Sequence, residues 1–283
     1  MRIAARDSVK TAARDSVKMA YSPCPNDTFV FHAWAHGLVP DAPPLDVTFA
    51  DIDVTNTASE RGEFDVVKVS YAALPWLLEE YALLPSGGAL GRGCGPLVLT
   101  RGDIASVDGR TVAVPGERST AYLLFRLWAA RQRPARIEVV PFASIMPAVR
   151  DGRFDAGLVI HEARFTYPSY GLTSLVDLGE WWEAHTGLPI PLGAIIARRS
   201  LDVAALGRAA RASVEYAWAH PSASASYIAE HADEMSPEVQ RQHIALYVNE
   251  FTRDLGEEGY AAAEALLGRA HQAGLTPSAP RLR

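Results

Sequence analysis

The sequence is poor in cysteine and lysine, and it has no long hydrophobic run. Its 283 residues hold only two cysteines, Cys24 and Cys94, far apart and without Cys-x-x-Cys spacing. Two such thiols give no disulfide framework and no zinc signature; reduced thiols in a cytoplasmic protein are expected. No stretch reaches the ~18 apolar residues of a membrane span. Residues 1–18 carry arginine and lysine but no apolar segment, so no secretory signal is expected. A formal net charge of −6 argues against nucleic acid or an anionic membrane as the main partner. What is present is ordinary for a globular chain with an ample core, with 48% hydrophobic and 21% charged residues.

Lysine occurs only at Lys10, Lys18 and Lys68; every other basic residue is arginine. A coding bias toward arginine accounts for most of this. Under that bias Lys68 marks itself out, because an ammonium is a compact point charge and a guanidinium a broad fork. A site too tight for arginine would keep lysine.

The segment 4–10 recurs as 12–18, a tandem duplication too short to make a repeat architecture. Residues 1–16 read as a disordered extension, and a strand begins at Val17. Next comes Ser22-Pro23-Cys24-Pro25-Asn26-Asp27-Thr28. The prolines forbid helix before them, Asn26 or Asp27 is a good N-cap, and a helix is expected over 29–36. Asp27 at such a helix start would accept a hydrogen bond from a ligand hydroxyl, or serve only as the cap.

Two later stretches share a pattern. Gly62-Glu63-Phe64-Asp65 leads into Val66-Val67-Lys68-Val69-Ser70, and Gly152-Arg153-Phe154-Asp155 leads into Ala156-Gly157-Leu158-Val159-Ile160-His161. Each reads as a helix end, a turn, a buried strand and a polar tip. Residues 156–160 look like a strand buried on both faces of a parallel sheet. In open α/β sheets ligands bind beyond the carboxyl ends of the strands, which is where His161 stands. Its ordinary titration near neutral pH suits a working base. Glu162 would orient it. Ser70 and His161 are expected to face each other across a cleft.

A second strand–loop–helix start follows 111–114: Pro115-Gly116-Glu117-Arg118-Ser119-Thr120. Amide groups, helix dipole and hydroxyls there would stabilise a carboxylate, unless Ser119 is simply a cap. The loop 91–96 is rich in glycine but precedes a strand, so the dinucleotide mechanism does not apply. Residues 71–81 are expected as a helix and 165–171 as an aromatic loop forming a lid or pocket wall. His32 and His36 have metal-ligand spacing on a helix, but no third ligand lies nearby and no metal site is expected. From 202 onward the chain reads as helices broken at Pro221, Pro237 and Gly256. Extended strands at 97–100 and 192–197 bracket a run of βα units. This is an α/β architecture of two lobes with a double crossover: 17–101 and 191–283 as lobe one, 102–190 as lobe two, and a ligand cleft between them.

Taken together, the 22–29 run, Lys68-Val69-Ser70, Ser119-Thr120-Ala121 and Ile160-His161-Glu162 resemble the 1,4-dihydroxy-6-naphthoate synthases of the futalosine route to menaquinone. The resemblance covers about 18–274. It implies a type-2 periplasmic-binding-protein-like fold and a carbon–carbon lyase. That enzyme cleaves cyclic de-hypoxanthine futalosine to 1,4-dihydroxy-6-naphthoate and dihydroxyacetone without metal or organic cofactor. It further implies His161 as proton acceptor and Lys68, Val69, Ser70, Ser119 and Thr120 as substrate-binding positions. The substrate carries a carboxylate and sugar-derived hydroxyls; either Lys68 or the helix at Ser119 would hold the carboxylate. A non-catalytic solute-binding or sensor protein, or a chorismate-dehydratase-like enzyme, would share the fold.

Overall fold

The structure is a computed structural model and describes residues 16–232 and 236–283. The extension expected over 1–16 therefore lies outside the described residues, Ser16 excepted. In chain order the elements are β1 (Val17–Tyr21), α1 (Pro25–Ala35), β2 (Leu45–Phe49), α2 (Ile52–Glu60), β3 (Val66–Ser70), α3 (Leu74–Leu77), β4 (Tyr81–Leu83), β5 (Ala89–Gly91) and β6 (Leu97–Thr100). They continue with β7 (Thr111–Val114), α4 (Thr120–Trp128), β8 (Arg136–Val139), α5 (Phe142–Arg150), β9 (Ala156–Val159), α6 (Ala163–Thr166), β10 (Thr173–Asp177) and α7 (Leu178–Thr186). The chain ends with β11 (Ile190–Arg198), α8 (Val203–Ala219), α9 (Ala225–His231), α10 (Pro237–Tyr247), α11 (Glu250–Arg253) and α12 (Gly256–Gln272).

The strands form two sheets. The first runs β2-β1-β3-β11-β4, with β5 also paired to β11; the second runs β10-β6-β9-β7-β8. Within each sheet the βα units pair in parallel, β1 with β2 and β3, β7 with β8 and β9. The strands that carry the chain across lie antiparallel: β6 against β9, and β11 against β3. So β9 sits in a mixed sheet, a correction to the all-parallel expectation, although its four residues are all buried as their apolar run requires. Among the described residues no helix is long and apolar enough to cross a membrane.

The repeated Gly-x-Phe-Asp pattern has one structural content in both places. Gly62 after α2 and Gly152 after α5 hold φ of +66° and +75°, the left-handed turn that glycine enters at no steric cost. Three residues on, each aspartate locks the start of its strand to the neighbouring parallel strand. The Asp65 N–H donates to the Lys18 carbonyl at 2.9 Å, and its carboxylate accepts the Lys18 N–H at 3.0 Å. Asp155 does the same with Thr111, donating at 3.0 Å and accepting at 2.8 Å from the backbone and 2.9 Å from the hydroxyl. These clamps set the register that brings Ser70 and His161 to the strand tips.

Three local expectations are corrected. The helix expected over 71–81 is a 3-10 turn at Tyr71–Ala73, a single α-turn in α3 and then strand β4. Tyr81 is drawn into the sheet opposite Arg198, with its hydroxyl donating to the Phe64 carbonyl at 2.8 Å. Sheet pairing outweighs the local helical pattern there. The aromatic loop at 165–171 is instead α6 and a 3-10 turn over Tyr167–Tyr170, closed by left-handed Gly171. And α1 begins at Pro25 with Cys24 as N-cap, because proline at the first helical position needs no N–H partner. Asp27 is thus inside the first turn and is not the cap.

The Asp155 clamp yields a stability prediction. The Thr111 backbone N–H holds the Asp155 carboxyl below its ordinary range, with burial opposing. The stabilisation is therefore present at neutral pH and lost as pH falls through the depressed value. Asp155→Ala should lower unfolding free energy by about 1–3 kcal/mol in urea titrations at pH 7, and by less near pH 3. An equal cost at both pH values would refute the clamp.

Candidate active site

A cavity is lined from both sheets. The first sheet contributes Lys68 and Ser70, on one face of β3. Strand alternation sends Val69 the other way, into the apolar core. Lys68 is buried, and its ammonium donates to the Asp27 carboxylate, which also accepts from Asn26 Nδ2 at 2.8 Å. The Asp27 carboxylate is consequently occupied, and it meets the cavity only through Lys68. Gly193 on β11 makes room for this lysine: a Cβ there would lie 2.8 Å from Lys68 Cε. A buried charge pair of this kind is held by mutual compensation, since either member alone would be an unpaired buried charge.

Ser70 is fixed by Asn56, whose Oδ1 accepts the Ser70 N–H at 2.8 Å and whose Nδ2 donates to Ser70 Oγ at 3.1 Å. The same Nδ2 lies 3.4 Å from the Arg118 carbonyl, on the second sheet's side. There Ser119 caps α4, with Oγ accepting from the Tyr122 N–H at 3.1 Å and donating to the Gly116 carbonyl at 2.8 Å. Thr120 Oγ1 donates to the Leu192 carbonyl at 2.8 Å and accepts the Ala72 N–H at 3.3 Å. The structure therefore brings Lys68, Ser70, Ser119, Thr120 and His161 around one cavity.

His161 follows β9 directly and holds φ of +55°, a left-handed conformation rare outside glycine. Such strain persists only where the surroundings enforce it, and it concentrates at functional sites. Cys24 supplies the enforcement: its Sγ lies 3.5 Å from His161 Nδ1. Glu162, expected to orient the imidazole, is not its hydrogen-bond partner; the thiol of the Ser-Pro-Cys-Pro turn is. Phe142 packs edge-on against the ring at 6.0 Å. Burial pushes the His161 imidazolium down, and Lys68 adds to that. The Cys24 sulfur, its hydrogen bond and Glu162 outweigh both, and the net shift is upward to about 9. A third participant carries no signal in the local residue pattern. His243 on α10 is wholly buried, lines the cavity and stacks near-parallel to His161 at 12°, with ring centroids 6.2 Å apart. Burial, then the charges of His161 and Lys68, hold it well below the ordinary histidine range.

Cys24, His161 and His243 offer donor atoms within 4.8 Å of one another, a group of metal-ligating type. The nearby Lys68 ammonium, which acts on both imidazoles, opposes a further cation there. His32 and His36 lie away from the cavity, rings 4.4 Å apart, with His36 Nδ1 2.8 Å from the His32 carbonyl.

With this geometry in hand, the chain can be compared with known proteins. A family described as menaquinone biosynthesis matches residues 17–272. A Streptomyces coelicolor protein named 1,4-dihydroxy-6-naphthoate synthase is 68% identical over 267 residues, covering 92% of this chain and 95% of its own. A crystal structure of an Archaeoglobus fulgidus protein superposes with a TM-score of 0.85 at 33% identity, covering 92% of this chain and 98% of its own. A Candida albicans protein described as having the generic periplasmic-binding-protein fold gives a TM-score of 0.69 at 13% identity, covering 95% and 93%; this likeness concerns the fold alone. The fold expected from the sequence is borne out.

The Cys24 contact can be tested without substrate. In the wild type, NMR titration of the histidine ring resonances should place His161 at about 9. In Cys24→Ala only burial, Lys68 and Glu162 remain, so the value should fall toward or below the ordinary 6.5. A titration unmoved by the substitution would remove Cys24 as its partner.

Proposed function

The chain belongs to the menaquinone-biosynthesis family, and on that premise we propose that it is a carbon–carbon lyase forming 1,4-dihydroxy-6-naphthoate. Its substrate is cyclic de-hypoxanthine futalosine and its second product is dihydroxyacetone. One observation carries the reading: a histidine held in a left-handed turn at a cavity lined from both sheets, in a chain that matches a named synthase nearly end to end.

His161 is the proton acceptor. Its Nδ1 faces Cys24, which leaves Nε2 for a substrate hydroxyl. The hydroxyl proton passes to Nε2 and a carbonyl forms on that carbon. The adjacent carbon–carbon bond breaks in the retro-aldol sense, and aromatisation of the naphthalene ring drives the release. Only the neutral imidazole can take the proton. With His161 raised to about 9, kcat/KM for the free protein should rise with pH toward that value.

The substrate carboxylate fits the start of α4, where the first backbone N–H groups have no intrahelical partner and the helix dipole favours an anion. Ser119 and Thr120 hold that helix start against the cavity. Lys68, paired with Asp27 through one of its three N–H donors, lines the same cavity and supplies positive potential there. Val69 contributes through the backbone of β3, since its side chain is in the core.

The test uses purified protein and the cyclic futalosine derivative, with naphthoate absorbance as readout. Wild-type protein should form naphthoate. His161→Asn should retain substrate binding while turnover falls by about 10²–10⁴-fold. Near-normal turnover by this variant would overturn the assignment of the base. A wild-type rate flat from pH 6 to pH 9 would also count against it.

A further inference from the structure

Among the described residues, neither ring nitrogen of His243 has a hydrogen-bond partner, although the side chain is fully buried. Its ring neighbours are Tyr247 at 4.6 Å, Phe165 at 6.5 Å and the His161 ring at 6.2 Å. None of them pairs with its nitrogens. A buried polar group left unpaired destabilises the fold, and buried polar groups are as a rule hydrogen-bonded. A phenylalanine or leucine would fill this place on α10 without that cost. The imidazole also faces the cavity that holds His161. Its partner is therefore to be sought in the ligand.

The chemistry of the ring selects the ligand group. Burial and the charges of His161 and Lys68 keep the imidazole neutral. A neutral imidazole presents one donor and one acceptor. That pairing matches a hydroxyl, which also gives one hydrogen bond and accepts others. It does not match a carboxylate, which only accepts and is better served by a charged or multiply donating site. We propose that His243 is a substrate-binding residue that hydrogen-bonds a hydroxyl of the ligand beside His161. On the lyase reading, on which this assignment of the ligand rests, the hydroxyl belongs to the sugar-derived fragment. The ligand then lies with that fragment between the two imidazoles and its carboxylate toward the start of α4.

Two variants and one spectrum test this. His243→Phe should melt at or above the wild-type temperature, because an unpaired polar group has been removed, while kcat/KM falls at least about 10-fold. A side chain with only a packing role would not move stability and activity in opposite directions. His243→Gln, which keeps a donor and an acceptor, should recover part of the loss. Independently, the ¹⁵N resonances of the His243 ring should shift when the cyclic substrate is added to His161→Asn protein, which binds without turning over. Wild-type kcat/KM in both variants, or unmoved His243 resonances at saturating substrate, would overturn the proposal. The wild-type assay decides the lyase reading by itself, so the two can fail separately.

Discussion

The candidate base depends on one contact between the two sheets: Cys24 Sγ against His161 Nδ1, at 3.5 Å. Cys24 comes from the turn after β1, and His161 from the tip of β9. Each is held by backbone chemistry on its own side. Proline at the first position of α1 places Cys24 as N-cap in extended conformation. The Asp155 clamp fixes the start of β9, four buried residues carry the strand, and His161 then turns left-handed out of it. A histidine in that conformation needs an external constraint to stay there, and the thiol is positioned to give it. The same contact turns one ring nitrogen away from the cavity and leaves the other to face it.

Charge around this contact is distributed unevenly, and the unevenness has a use. Lys68 and Asp27 neutralise each other as a pair, but the ammonium still acts on both imidazoles and lowers both. Only His161 has the sulfur and Glu162 to overcome it. Two imidazoles with centroids 6.2 Å apart thus take opposite protonation states at neutral pH. Environments that drive like groups apart in this way separate their chemical roles. On the proposed reading, the ring that titrates nearer neutrality exchanges the proton, and the ring held neutral recognises an uncharged oxygen.

Much of this was legible in the residues, for reasons that can be stated. The two Gly-x-Phe-Asp runs betrayed paired strand starts because a left-handed turn wants glycine and a strand lock wants a short carboxylate. Lys68 stood out against an arginine background, and its burial beside Gly193 explains why only the narrower cation fits. The period-two alternation of β3 separates Lys68 and Ser70 from Val69 once the strand is recognised. What stayed hidden depends on contacts distant in sequence. Asn56 and Ser70 meet because α2 packs on β3. Tyr81 becomes strand because β11, more than a hundred residues later, pairs with it. The imidazole of His243 carries no local signal at all: α10 is one amphipathic helix among several, and the face turned to the cavity is set by its neighbours. Cys24 was visible within a distinctive turn, but its partner is 137 residues away.

The hydroxyls of Ser119 and Thr120 illustrate how a position can matter without its side chain touching the ligand. Both are fully engaged inside the protein: Ser119 with Gly116 and Tyr122, Thr120 with Leu192 and Ala72. A hydroxyl already donating to a carbonyl has no proton left for an anion. What they build instead is the first turn of a nine-residue helix tied across to β11 and to the residues after β3. The free backbone N–H groups of that turn can then meet a carboxylate while the tie to Leu192 and Ala72 holds the two sides in register. On the proposed reading, Ser119 and Thr120 support an anion site whose donors are the main chain. An arginine there would have no acceptor for the Tyr122 or Ala72 N–H.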